Sequence, residues 1–161
     1  MPSMTIGVIG GSTASVEQCE MAQAVGRQIA LKGAVLVCGG KGGIMEAASR
    51  GAHEAGGVVV GILPSLDKRE ANRYVTVALP TGMGLTRNAL VVNSSDVLIA
   101  FVGSYGTLSE MAFALTSGKT VVAMPGAWEL GRAGEVDRAR FKEAHTPEQA
   151  VGLALGAIAQ V

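Results

Sequence analysis

The sequence predicts an α/β fold in which helices cover both faces of a mainly parallel sheet. Three observations carry that expectation. Short β-branched apolar runs alternate with longer Ala-rich stretches, which is the rhythm of repeated βαβ units. The apolar runs show little in–out alternation, as suits strands buried on both faces. Gly-rich turns follow four of these runs, where a parallel strand must turn tightly into the next segment. Together they describe a three-layer αβα, doubly wound, Rossmann-like architecture.

The elements follow in chain order. A strand is read at Thr5–Ile9, and a helix at Val16–Lys32 that opens with a Ser15…Gln18 capping box. Ala34–Cys38 forms the next strand and Gly43–Ala55 the next helix. Val58–Ile62 and Val75–Ala78 read as strands, separated by an irregular charged connection, Pro64–Asn72. A helix over Gly84–Ser94 precedes a strand at Val97–Phe101, then a helix at Leu108–Ser117 and a strand at Thr120–Met124. Gly126–Arg140 is a second irregular connection, before a short strand near Phe141–Ala144. The last helix, Pro147–Ala159, has the clearest start: Thr146-Pro147-Glu148-Gln149 supplies a capping hydroxyl, a proline at the first helical position and a reciprocal glutamine.

Composition limits what such a chain does. Residues 1–161 fit one domain, and 48% apolar with 16% charged residues is enough to hold a core without metal, disulfide or cofactor. The 13 acidic and 13 basic side chains balance and are spread evenly, so no basic face is expected and nucleic acid is not the expected partner. No apolar run approaches a membrane span. Cys19 and Cys38 are outside any C-x-x-C spacing and the N-terminus lacks a basic leader, which points to a reduced, cytoplasmic compartment. His53 and His145 have no carboxylates at metal-ligand spacing, so no metal site is expected.

Gly is 23 of 161 residues, about twice the usual share of ~7%. The excess falls in Gly10-Gly11-Ser12, Gly39-Gly40-Lys41-Gly42-Gly43, Gly82-Met83-Gly84 and Gly103-Ser104-Tyr105-Gly106-Thr107. All four are expected at the carboxyl edge of the sheet, where backbone amides and helix N-termini converge on negative charge. The dinucleotide pattern G-x-G-x-x-G is not met by Gly7–Ser12, and the lysine loop lacks the P-loop spacing. No G-x-S-x-G elbow activates Ser12, Ser104 or Ser109.

Two residues remain open to more than one reading. Glu110 closes Thr107-Leu108-Ser109-Glu110, which is a capping box as well as a carboxylate one turn inside a helix facing an anion loop. Arg87 is the sole charged residue between Arg73 and Asp96, suited either to bidentate contact with phosphate or to simple exposure.

Gly39-Gly40 with Gly43–Ala48, Gly57…Gly61-Ile62-Leu63-Pro64, Arg87 and Gly103–Glu110 occur together, and from Thr5 to Met124 the chain resembles the Lonely Guy superfamily. That group contains cytokinin-activating nucleoside 5′-monophosphate phosphoribohydrolases and molybdenum-cofactor carrier proteins. Its P-G-G-x-G-T-x-x-E signature matches Val102–Glu110, with Arg87 nine residues before Asp96. The resemblance implies that Arg87 and Glu110 form a catalytic pair. It implies that Gly103, Gly106 and Thr107 hold a 5′-phosphate, with Ser104 and Tyr105 in the same loop. The other Gly turns, through Gly10, Gly11, Ser12, Gly39, Gly40, Lys41 and Gly43, are expected to complete the ligand site. Val102, Ser104 and Asn88 depart from the hydrolase pattern, and Pro80–Asn88 with the Cys38–Ala48 loop looks closer to the carrier branch. Binding of a phosphorylated nucleotide or molybdenum cofactor is therefore expected ahead of hydrolysis. Lysine decarboxylation, a label also attached to the group, gets no support, because no lysine sits in a setting for a pyridoxal Schiff base. The helices 84–94 and 108–117 are apolar almost all round, so a homodimer or larger homo-oligomer is expected.

Overall fold

In the computed structural model, which describes residues 2–130 and 135–160, seven strands form one sheet in the order β4-β3-β2-β1-β5-β6-β7. They are β1 Thr5–Ile9, β2 Val35–Cys38, β3 Val59–Leu63, β4 Val77–Pro80, β5 Val97–Ala100, β6 Val121–Ala123 and β7 Phe141–Glu143. Every pairing between neighbours is parallel, so the mainly parallel expectation becomes fully parallel. The helices are α1 Val16–Leu31, α2 Ile44–Glu54, α3 Asn88–Asn93, α4 Tyr105–Thr116, α5 Glu135–Arg140 and α6 Pro147–Ile158.

Alternate residues of each strand feed separate cores on the two faces. Ile6, Val8, Leu36, Cys38, Val97, Ile99 and Phe101 pack under Ala22, Val25 and Ile29 of α1, Ala48 and Ala52 of α2, and Val151 and Ala154 of α6. Ile9, Val37, Leu98, Ala100 and Val121 pack on the other side with Val91 and Val92 of α3 and Met111 and Ala114 of α4. This two-sided burial explains why the strands read as continuous apolar runs. On the first face α1 and α2 approach closely enough that a Cβ on Gly26 would overlap the Ala48 carbonyl, and one on Gly51 the Gln23 carbonyl.

The chain steps outward from β1 to β4, then returns to lay β5 beside β1. Ile6 accordingly aligns with Leu36 on one side and Val97 on the other. That reversal opens a crevice at the carboxyl ends of β1 and β5, the place where open α/β sheets hold ligands.

Several boundaries differ from the sequence expectation. The helix expected at Gly84–Ser94 is a 3-10 turn, Gly84–Arg87, running into the short α3. A left-handed Gly84, with φ +58°, starts that turn in a geometry the apolar periodicity does not report. The strand expected at Val75–Ala78 is shifted to Val77–Pro80, because Val75 is held in a turn by its amide bond to the Asn72 carbonyl at 3.2 Å. The irregular stretch read at Gly126–Arg140 contains α5, too short for a periodic signal, while residues 131–134 fall outside the described residues. The Ser15 hydroxyl caps the Gln18 amide at 3.2 Å, yet the Gln18 side chain reaches the Pro125 carbonyl at 3.0 Å, so that capping box is only half formed.

Candidate functional site

Four chain segments converge at the crevice, and each is fixed by backbone bonds. The Gly11 amide donates to the Val102 carbonyl at 2.8 Å, and the Ile44 amide donates to the Gly11 carbonyl at 3.0 Å. The turn after β1 is thereby tied to the segments that follow β5 and that start α2. The lysine loop is pinned from further along the chain. The Asn72 amide donates to the Gly40 carbonyl at 2.8 Å, and its side chain Nδ2 donates to the Lys41 carbonyl at 3.0 Å. Gly40 and Gly43 have φ of +75° and +63°, conformations that a side chain would strain.

The crevice encloses a cavity of about 280 Å³. Of the candidate residues, Gly10, Gly11, Ser12, Gly39, Lys41, Arg87, Ser104, Gly106, Thr107 and Glu110 line it. Gly40 and Gly43 shape the loop behind that wall. Gly103 packs against Thr107 and the Gly11 amide, leaving no room for a Cβ. Tyr105 projects outward and is 80% exposed. The Lys41 ammonium is paired with Glu70 at 2.9 Å.

α4 begins at Tyr105, with Ser104 as its N-cap, three residues before the expected start. This placement decides the two readings of Glu110. Thr107 lies inside the first turn and is buried, so it does not cap the helix. Glu110 turns to the cavity, is 7% exposed, and is not folded back on the Thr107 amide. The Ser104 side chain makes no capping bond either. The first-turn amides of a 12-residue helix are therefore left open at the cavity end, where the helix dipole is positive.

Arg87 enters from the 3-10 turn before α3. Its Nη2 donates to the Gly39 carbonyl at 3.4 Å and its Nη1 to Asn88 Oδ1, while the buried Nε has no partner among the described residues. Burial lowers the Arg87 pKa from its ordinary value, with the nearby Glu110 charge opposing. The effect is stronger on the carboxyl: burial pushes Glu110 up to about 7, with Arg87 acting the other way. Desolvation thus outweighs the attraction of the nearby cation. No ion pair joins the two side chains among the described residues. At neutral pH the cavity holds an underused guanidinium, a carboxyl near its titration midpoint and a row of free amides. That set can bind an anion and can exchange a proton with it.

Three features had little or no local signal in the sequence. Asn72 pins a loop thirty residues earlier, and Leu85 joins the cavity lining. Trp128 donates its indole N–H to the Gly103 carbonyl at 3.0 Å and lies 3.3 Å from the Ser104 carbonyl.

The chain matches the model of the SLOG cluster4 family over residues 3–153. It is 37% identical to the molybdenum cofactor binding protein of the phototrophic bacterium Rippkaea orientalis, with TM-score 0.90 over 98% of this chain and 99% of that one. The molybdenum cofactor carrier protein of Chlamydomonas reinhardtii is 33% identical, with TM-score 0.87 over 98% and 99%. Among curated sequences, an uncharacterised protein of Archaeoglobus fulgidus is 47% identical over 77% of this chain and 82% of its own length. A probable cytokinin riboside 5′-monophosphate phosphoribohydrolase of Oryza sativa, LOGL5, is 35% identical over 57% of this chain but only 39% of its own length.

Proposed function

We propose, from the premise that the chain belongs to the SLOG cluster4 family, that it binds a phosphorylated small molecule at the carboxyl edge of its sheet. The ligand class is a nucleotide or a molybdopterin-type cofactor, held as cargo by a carrier or binding protein. One observation carries this reading: the uncapped N-terminus of α4 and the partly unpartnered Arg87 guanidinium meet in the same cavity. A phosphate there accepts from the amides of Tyr105, Gly106 and Thr107 while Arg87 neutralises its charge. The likeness to a cofactor-binding protein and a cofactor carrier protein supports the cargo class.

Glu110 favours a second reading, N-glycosidic hydrolysis of a nucleoside 5′-monophosphate. Cleavage of the bond between ribose and base builds positive charge on the sugar. A carboxylate held in the crevice stabilises that charge, and water adds to the sugar carbon as the base leaves with a proton. The partial likeness to the rice protein supports this class.

Two measurements separate the readings. Purified protein is incubated with a panel of nucleoside 5′-monophosphates, and free base and ribose 5-phosphate are quantified by chromatography. Release that disappears in both Glu110→Gln and Arg87→Ala establishes hydrolysis. Binding without release, read as a thermal shift that Arg87→Ala abolishes, establishes the carrier reading. Neither release nor shift with nucleotides or molybdopterin sinks both.

A further inference from the structure

We infer that Tyr105 and Trp128 form the platform on which the planar ring end of the ligand stacks; the inference rests on the phosphorylated-ligand reading above. The rings stand 6.2 Å apart between centroids with planes 24° from parallel, a stacked pair within the usual range for aromatic contacts. Neither ring belongs to the two cores of the sheet. Tyr105 is 80% exposed and Trp128 37%, an exposed aromatic pair that folding alone does not require.

Its location gives the pair a purpose. Tyr105 stands between Ser104 and Gly106, both of which line the cavity. The Trp128 indole is anchored by its bonds to the Gly103 and Ser104 carbonyls, which ties the platform to the loop that opens α4. The cavity of about 280 Å³ is at the small end of ligand sites, which run from about 300 Å³ upward. It takes a phosphate and sugar-sized group, and a bicyclic ring attached to them must leave the cavity across the rim. Neither ring lines the cavity itself; Tyr105, exposed beside the lining residues Ser104 and Gly106 and stacked on a hydrogen-bonded Trp128, is the aromatic surface next to it and offers a face at low conformational cost. The surface has no hydrogen-bond code of its own, so it selects planar heteroaromatic rings as a class, purine or pterin.

The test compares a ring-bearing probe, GMP, with a ring-free one, ribose 5-phosphate, by calorimetry. Wild type is expected to bind GMP more tightly. Tyr105→Ala should weaken GMP on the order of tenfold and leave ribose 5-phosphate within about twofold, and Tyr105→Phe should restore GMP binding. Trp128→Phe keeps a ring but loses the indole donor, so it should weaken both probes. Fluorescence gives an independent readout, because Trp128 is the sole tryptophan and should be quenched by GMP alone. Equal affinity of wild type for the two probes, or equal losses for both in Tyr105→Ala, overturns the stacking platform alone. No binding of ribose 5-phosphate, GMP or molybdopterin overturns the phosphorylated-ligand reading and the platform with it.

Discussion

The Asp96 carboxylate accepts the Thr5 amide at 2.8 Å and the Thr5 hydroxyl at 3.0 Å, and the Asp96 amide donates back to that hydroxyl at 3.1 Å. With the Asp96 amide also donating to the Thr5 carbonyl at 2.9 Å, this knot joins the starts of β1 and β5 at the amino edge of the sheet, the opposite end from the cavity. The motif aspartate that follows Arg87 is therefore a clasp between central strands. Asp96→Ala is expected to lower stability by about 1–2 kcal/mol through the lost bonds to an ionised acceptor. Ligand affinity should stay unchanged, and a large loss of affinity at unchanged Tm would contradict the assignment.

Arg87 is expected to behave in the opposite way. Its removal leaves the core intact, since the side chain is only half-buried and has one nitrogen without a partner among the described residues. Arg87→Ala should cost phosphate-bearing ligands about 1.5–3 kcal/mol, roughly 10- to 150-fold in Kd. Arg87→Lys should recover only part, because an ammonium lacks the planar fork. Full recovery by lysine in a titration would rule out bidentate contact.

Glu110 gives a pH dependence with a definite sign. Its folded pKa of about 7 is above the ordinary carboxyl value of 4.5, so the fold binds the proton more tightly than the unfolded chain does. Stability from this group is complete below about pH 4.5 and is lost as pH rises through 7. The shift corresponds to an order of about 3 kcal/mol at most. Glu110→Gln should raise Tm at pH 8 and change it little at pH 4.5, in thermal melts across that range. Affinity for a phosphorylated ligand should fall between pH 6 and 8 in wild type more steeply than in Glu110→Gln. Parallel curves for the two proteins would remove Glu110 from the vicinity of the phosphate.

The α1–α2 crossing sets competing effects against each other at Gly26. Alanine gains up to about 1 kcal/mol of helix propensity. Its methyl, however, would overlap the Ala48 carbonyl, a backbone atom that cannot rotate aside. Overpacking of this kind costs about 1–3 kcal/mol, so Gly26→Ala should destabilise on balance, read as a lower midpoint in urea. A stabilised variant would mean that the two helices part without penalty.

Much of the fold was legible because the βαβ rhythm is written in local composition. Strands buried on both faces leave apolar runs, and left-handed turns such as Gly40 and Gly43 leave glycines. The glycine loops that line the cavity carry the same signal. The orientation of Glu110 was not legible, because Thr107-Leu108-Ser109-Glu110 satisfies a capping box and a catalytic motif alike. A helix start at Tyr105 rather than Leu108 decides it. Asn72 and Trp128 were illegible for another reason: each acts on a loop more than twenty residues away through a hydrogen bond to backbone, which leaves no mark near the loop itself.

The alignment of Ile6 with both Leu36 and Val97 also sets the order in which the binding function can appear during folding. β1 and β2 can meet early, but the crevice has a second wall only after β5 has closed against β1 across the intervening ninety residues. Such distant closure is a slow step in reaching the native state. A partly folded chain therefore lacks the second wall of the crevice, and on the proposed phosphorylated-ligand reading a ligand would stabilise the completed sheet alone. At a hundredfold excess over Kd such a ligand would add about 2.7 kcal/mol to the completed sheet and nothing to its unclosed precursors.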